Sequence, residues 1–200
     1  MDYQTELDLD TLMKLRSIFE SKVVNKKEDK NNITQITNIY ENDKKINDDD
    51  LFIRGLAIQF LQNSNLDVNP DNCMIEYWRY RCFGDVLNSK LIRHTDSYGV
   101  FNCPINTCIF YIRKDKTLQG GNLDLYGYGI NSYNFMNKPI KTIESNNNKV
   151  ICMDGDIVHS ISSFQGFGIR DAIVVQFEKS FTYKTLFLGF QIKKYVKTIM

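Results

Sequence analysis

His94 and His159 are the only two histidines in the 200-residue chain. The first stands in LIRHTDSYG (91–99), two residues before Asp96, and the second in GDIVHSISS (155–163). On an extended backbone, residues i and i+2 point to one face, so His94 and Asp96 can offer a nitrogen and an oxygen to one cation. An H-x-D pair alone is a weak signal. His159 strengthens it, because it follows the apolar strand-and-turn pattern VICMDGDIV, and several strands intervene to bring it back. Two histidines and one carboxylate on adjacent strands make a facial triad that leaves three positions of an octahedral metal open. Iron(II) suits that geometry best, since zinc is more often closed by sulfur or a third nitrogen.

An anion anchor follows in the right place. Arg170 opens the run RDAIVVQF, 11 residues after His159. Strand alternation puts Arg170, Ala172, Val174 and Gln176 of that run on one face, and none of the four is acidic. An inward arginine needs an anion, and a ligand carboxylate held by the guanidinium is the natural one. The rival readings are that Asp171 turns inward or that Arg170 reaches the rim. Tyr111, in TCIFYIRKD, shares a face with Thr107 and Ile109 and can donate its hydroxyl to the same carboxylate; in isolation it reads as core packing. Tyr80, in YWRYRCF, is a similar case. Gly120 and Gly121 in LQGGNLDLY read as a tight turn or bulge leading into a strand, and no helix follows them to make a phosphate site.

These residues need elements to hold them. LDLDTLMKLRSIFESK reads as a helix, with Leu9, Leu12, Met13 and Phe19 near one stripe and Asp8 or Asp10 as cap. The polar NKKEDKNNITQ reads as an exposed loop. NDDDLFIRGLAIQFLQNSN reads as a second helix, its three aspartates suiting the positive helix start. From about residue 72 the pattern changes to strands: CMIEYWRYRCF, INTCIFYIRKD, KVICMDGD and DAIVVQFEK are rich in aromatic and β-branched residues, with turn signals between them. Helices followed by many strands indicate a mainly β fold, a sandwich or barrel with an amino-terminal helical layer on one sheet. One domain spans 1–200, with helical support over 1–66 and the β core over 67–190. The final YVKTIM reads equally as strand or helix, and YGYGINSYNFMNKP (126–139), with the loop proper over 127–139, as a loop able to cover a site.

Composition excludes other classes. A net charge of +1, with the charges mixed throughout, gives no electrostatic footprint for nucleic acid or membrane. No 18-residue apolar run and no signal-peptide pattern is present, so the expected location is cytoplasmic. The five cysteines lack a C-x-x-C pair and are expected to stay reduced. Heavy use of Asn, Ile and Lys points to an AT-rich genome, such as that of a large DNA virus or an AT-rich protist.

Taken together, RYRCFGD…LIRHTDSYG, TCIFYIRKD…QGGNLDLY and VICMDGDIVHSI…GIRDAIVVQF resemble the iron(II)- and 2-oxoglutarate-dependent oxygenases, most closely the prolyl 4-hydroxylase-like branch. The likeness covers about residues 72 to 180; the stretch from His159 to Arg170 runs slightly longer than in the family. It implies a double-stranded β-helix (jelly roll), with His94, Asp96 and His159 as iron ligands. It also implies Arg170 on the distal carboxylate of 2-oxoglutarate, assisted by Tyr111, with Tyr80 nearby and Gly120–Gly121 before a strand. The implied reaction hydroxylates a C–H bond, most closely that of a peptidyl proline, using oxygen and 2-oxoglutarate and releasing succinate and carbon dioxide. Ascorbate is the expected reductant and a protein or peptide the expected substrate.

Three alternatives stand beside this reading. One is an oxygenase acting on another side chain or a small molecule. Another is a jelly-roll binding or sensor module with little turnover. The last is a metal hydrolase on the same ligands, for which Asp154 and Asp156 are the nearest acid or base.

Overall fold

Asp8 starts the first helix: its Oδ1 accepts the Thr11 N–H at 2.8 Å and its Oδ2 the Thr11 hydroxyl at 2.7 Å. The helix, α1, runs Leu9–Val23. Its buried stripe is Leu12, Leu15, Ile18 and Phe19, whereas Leu9 and Met13 are exposed. The expected stripe was therefore partly misplaced. At 100° per residue, Leu9 and Met13 lie far round the helix from the line through Leu12, Leu15 and Phe19. The second helix, α2, runs Asp48–Asn63 and is capped by Asn47, whose side chain accepts the Asp50 N–H at 2.9 Å. Ile53, Ala57 and Leu61, spaced four apart, form its buried face.

This computed structural model describes residues 2–23, 36–40, 47–64, 66, 73–83, 91–95, 105–128 and 138–179. Asp96, the stretch 25–35, most of the 127–139 loop and the closing YVKTIM lie outside them. No helix among the described residues is long and apolar enough to cross a membrane.

The strands form two main sheets. The larger contains β1 (Asp2–Glu6), β2 (Ile36–Tyr40), β3 (Cys73–Phe83), β5 (Asn106–Lys114), β9 (Lys149–Asp154) and β12 (Ile169–Lys179), in the order β1-β9-β5-β12-β3-β2. The smaller contains β4 (Leu91–His94), β7 (Leu123–Tyr128), β8 (Lys141–Ile143) and β10 (Ile157–Ile161), in the order β4-β10-β7-β8. Two short strands, β6 (Gln119–Gly120) and β11 (Phe164–Gln165), pair with each other. That pairing uses part of the stretch between His159 and Arg170. Strands β1 and β2 fall within the segment read as helical support, and both join the larger sheet. Each is only five residues long, too short for its period to stand out beside helix and loop patterns.

All pairings are antiparallel, and alternation gives β5, β9 and β12 two roles each. Cys108, Phe110, Ile112, Val150, Cys152, Ile173, Val175 and Phe177 pack against both helices in one core. Ile109, Tyr111, Ile151, Met153 and Ala172 face the smaller sheet and meet its Leu123, Leu125, Ile143, Ile157 and Ile161 in a second core. The result is the mainly β, double-stranded β-helix architecture with helices layered on one sheet.

Candidate active site

The second core is where the chemistry-bearing residues gather. His159 pairs with His94 across β10 and β4, and their ring centroids lie 4.4 Å apart. The two histidines, 65 positions apart in the chain, are thus neighbours. His159 is buried, and its Nδ1 lies 2.9 Å from the Ile157 carbonyl oxygen. A carbonyl only accepts, so Nδ1 carries the proton and Nε2 keeps the lone pair that a metal needs. The outer side of the same sheet holds the pair in place. The Arg93 guanidinium lies 3.8 Å from the Tyr126 ring centroid, and the Tyr126 hydroxyl lies 3.2 Å from Ser160 Oγ. These contacts tie β4, β7 and β10 together beside the histidines.

Two imidazoles brought ring to ring, one with its tautomer fixed by the backbone, fit a divalent metal with nitrogen preference. Among the described residues no group of three His, Cys, Asp or Glu side chains gathers. The third predicted ligand, Asp96, lies outside those residues.

Arg170 is 2 % exposed, so it does not reach the rim. Nor does Asp171 share its face: Asp171 lines a cleft of about 380 Å³ with Arg16, Phe19 and Glu20 of α1, on the helix side. Both rival readings of Arg170 fail on this geometry. Nη1 donates to the Gly121 carbonyl at 3.1 Å, and the guanidinium carbon lies 5.2 Å from the ring centroids of both Tyr111 and Phe164. Tyr111 is fully buried. Tyr80 falls in the same cross-strand row, since Ala172 pairs with Tyr80 on one side and Tyr111 on the other.

The two glycines are structural, as their spacing suggested. Gly120 and Gly121 have φ of 74° and 66°. A Cβ on Gly121 would sit 2.1 Å from Phe164 Cε1, and one on Gly120 would sit 2.1 Å from the Ser163 carbonyl oxygen. Only glycine therefore lets this turn close against β11 and aim its carbonyl at Arg170.

Lys114 and Phe164 were not singled out from the sequence. A bulge between Asp171 and Ala172 shifts the β5 register, so that Arg170 pairs with Lys114 while Ala172 pairs with Tyr111. Lys114 Nζ then donates to the Gly120 carbonyl at 2.9 Å. Burial, and next the charge of Arg170, push its ammonium below the ordinary lysine value, with Glu144 acting the other way. Two cations thus converge on consecutive glycine carbonyls, an arrangement that favours an anion. Simple alternation hides Lys114, and nothing in SSFQGFG marks Phe164 as the wall beside the arginine.

At the opposite end of the barrel, the Tyr128 hydroxyl donates to Asp154 Oδ2 at 2.7 Å. That bond, with some burial, pushes Tyr128 up to about 12. Asp156 is exposed in the turn that follows.

No family model and no curated protein sequence matches the chain. Solved structures do match its fold. A Pseudomonas putida prolyl-4-hydroxylase superposes with a TM-score of 0.60 at 11% identity, covering 90% of this chain and 93% of its own. An oxidoreductase of the 2OG-Fe(II) oxygenase family from Burkholderia pseudomallei also gives 0.60 at 11% identity, covering 88% and 83%. A Trichoplax adhaerens prolyl hydroxylase, in complex with a hypoxia inducible factor oxygen degradation domain peptide fragment, gives 0.54 at 16% identity, covering 88% and 82%. At these identities the likeness is one of fold: the chain has the jelly roll of the 2OG-Fe(II) oxygenases.

Proposed function

We propose that this protein is an iron(II)- and 2-oxoglutarate-dependent oxygenase that hydroxylates a C–H bond of a peptidyl residue, with proline as the first candidate. The observation that carries the reading is the contact of the chain's only two histidines inside the same barrel that buries Arg170. The fold neighbours add to it: one is named for the 2OG-Fe(II) family, and one is a prolyl hydroxylase holding a peptide.

In this reading His94 and His159 hold the metal, with Asp96 as the third ligand. When bound, iron(II), 2-oxoglutarate and oxygen supply the oxidising chemistry, yielding succinate and carbon dioxide while one oxygen atom passes to the substrate. The protein's own work is placement. The Ile157 carbonyl fixes the His159 ring and leaves Nε2 for the metal. Arg170, steadied by Gly121, takes the distal carboxylate of the cosubstrate, and Lys114 adds positive charge beside it. Tyr111 and Tyr80 belong to the row next to that carboxylate. Ascorbate serves as the reductant that keeps the iron divalent.

A hydrolase on the same ligands is less well supported. Asp154 is engaged by Tyr128 and Asp156 is exposed, so neither is placed as a base beside the histidines.

The test is succinate formation from 2-oxoglutarate with iron(II), ascorbate and oxygen. Wild-type turnover should fall by about 10³-fold or more in His94→Ala. In Arg170→Ala, the concentration of 2-oxoglutarate required should rise by about 100-fold. Tight 2-oxoglutarate binding without succinate would favour a binding module. Activity with zinc and without oxygen would overturn the oxygenase reading.

A further inference from the structure

Gln176 has a burial that the fold alone does not account for. It is 0% exposed, and neither its Nε2 nor its Oε1 has a hydrogen-bond partner among the described residues. A buried amide without partners is costly, and native interiors retain few of them. Alternation places Gln176 on the interior face of β12, after Arg170, Ala172 and Val174, whose Ala172 and Val174 belong to the inter-sheet core.

The register locates it along the barrel. Gln176 pairs with Thr107, Thr107 with Met153 and Asn106 with Asp154, the last residue of β9. The chain turns there through Gly155 and Asp156 into β10, which begins at Ile157. Gly155 N–H donates to the Ile105 carbonyl at 3.0 Å and closes this end. From Ile157 the strand β10 runs past His159 to Ile161, which pairs with Leu123 just beyond Gly121. His159 therefore lies between two ends of one barrel. Arg170, Lys114 and the two glycines occupy one end, and Gln176 the other, about 20 Å away along β12 at some 3.3 Å per residue.

We propose that Gln176 is a specificity-determining residue that pairs with an amide of the substrate, at the side of the histidine pair opposite the cosubstrate anchor. This rests on the oxygenase reading above and deepens it. The side-chain amide offers donors and an acceptor together, and a peptide amide meets both at once. A carboxylate would leave Oε1 without a donor, and a hydrocarbon would leave both groups unmet. A site holding such a buried polar group rejects ligands that cannot complete it.

The experiment uses the full chain with iron(II), 2-oxoglutarate, ascorbate and oxygen against a library of proline-containing peptides, reading succinate and a mass gain of one oxygen. Gln176→Met keeps the volume and removes the amide. It should melt at a higher temperature than wild type and raise the peptide KM by about 100-fold, while the 2-oxoglutarate KM stays within about twofold. Gln176→Glu keeps the shape without the donors and should also raise the peptide KM, which secures the test if Gln176→Met does not fold. A melting temperature below wild type would show that the fold itself uses the amide and would overturn the proposal. So would an unchanged peptide KM, or an equal rise in the 2-oxoglutarate KM. Succinate formation by wild type with oxidation of a molecule lacking an amide would sink this inference alone. No succinate under any condition would sink the oxygenase reading and this inference with it.

Discussion

Strands β5 and β12 are buried on both faces, and the two faces have different chemistry. Toward the helices, between the buried Asn106 and Asp171 at the two ends, they present Cys108, Phe110, Ile112, Ile173, Val175 and Phe177, all apolar and all at most 1% exposed. Toward the smaller sheet, beside Ile109 and Ala172, they present Thr107, Tyr111, Arg170 and Gln176, no more exposed than about 2% yet polar or charged. Burial is matched, so burial does not explain the difference. On the helix side the polar groups stand only at the ends, Asp171 lining the cleft beside α1, and the middle is apolar because buried polar groups cost desolvation energy. On the interior side polar residues run the length of the strands, from Gln176 and Thr107 through Tyr111 to Arg170, the pattern expected of a lining that binds a polar ligand.

Substitutions on the two faces should therefore separate stability from binding. On the helix side, Phe110→Ala removes a fully buried ring packed 6.0 Å from Phe60 and should lower unfolding free energy by about 3–5 kcal/mol. On the interior side, Arg170→Met should change stability by less than about 1.5 kcal/mol. It should nonetheless weaken 2-oxoglutarate binding about 100-fold. Chemical denaturation and isothermal titration with iron(II) under anaerobic conditions read the two quantities separately. Comparable stability losses in the two variants would erase the distinction between the faces.

The glycines sharpen it at smaller scale. Gly121 is in the left-handed region, with Phe164 where a Cβ would go, so Gly121→Ala should cost about 2–4 kcal/mol from strain and overlap. Because its carbonyl holds Arg170, the same change should also raise the 2-oxoglutarate KM. Gly55 lies in α2 with nothing within 4 Å of an added Cβ. Gly55→Ala should raise stability by about 0.5–1 kcal/mol and leave that KM alone. Melting curves and steady-state kinetics on both variants check this. A KM shift in Gly55→Ala, or none in Gly121→Ala, would break the link between the turn and the anchor.

Much of this was readable because period and chemistry coincide on long strands. CMIEYWRYRCF matches β3 residue for residue, and the face shared by Arg170, Ala172, Val174 and Gln176 follows from alternation alone. His94 and His159 were legible as a pair through their scarcity. Other features were hidden for physical reasons. β1 and β2 are edge strands whose pairing is decided by the sheet they join, not by their own five residues. Lys114 reaches the anchor only through a bulge that no single-strand pattern shows, and Phe164 through a two-residue pairing with the distant Gln119–Gly120. Gln176 was placed on the correct face, but its significance lies in absent partners, which only three-dimensional packing reveals.

The smallest effect concerns the edge where the sheets meet. Lys141 of β8, in the smaller sheet, lies 2.7 Å from Asp2 Oδ2 of β1, in the larger one. Burial raises the Asp2 carboxyl, but the hydrogen bonds from Lys141 and Gln4 and the Lys141 charge outweigh it, and the net shift is downward. A depressed carboxylate contributes stability above its unfolded value, about 3.9, and loses it as pH falls through the folded value. The Lys141 side chain is 46% exposed, so screening holds the contribution to under about 1 kcal/mol. Wild type should thus exceed Lys141→Met by a few tenths of a kcal/mol at pH 7, with the gap closing below about pH 4 and shrinking in high salt. Urea melts at pH 7 and pH 3 measure it; a gap that persists at pH 3 would assign the effect to packing of the lysine stem. Neither result should change 2-oxoglutarate affinity, because this ion pair closes the barrel edge, whereas the buried guanidinium of Arg170 faces the barrel interior.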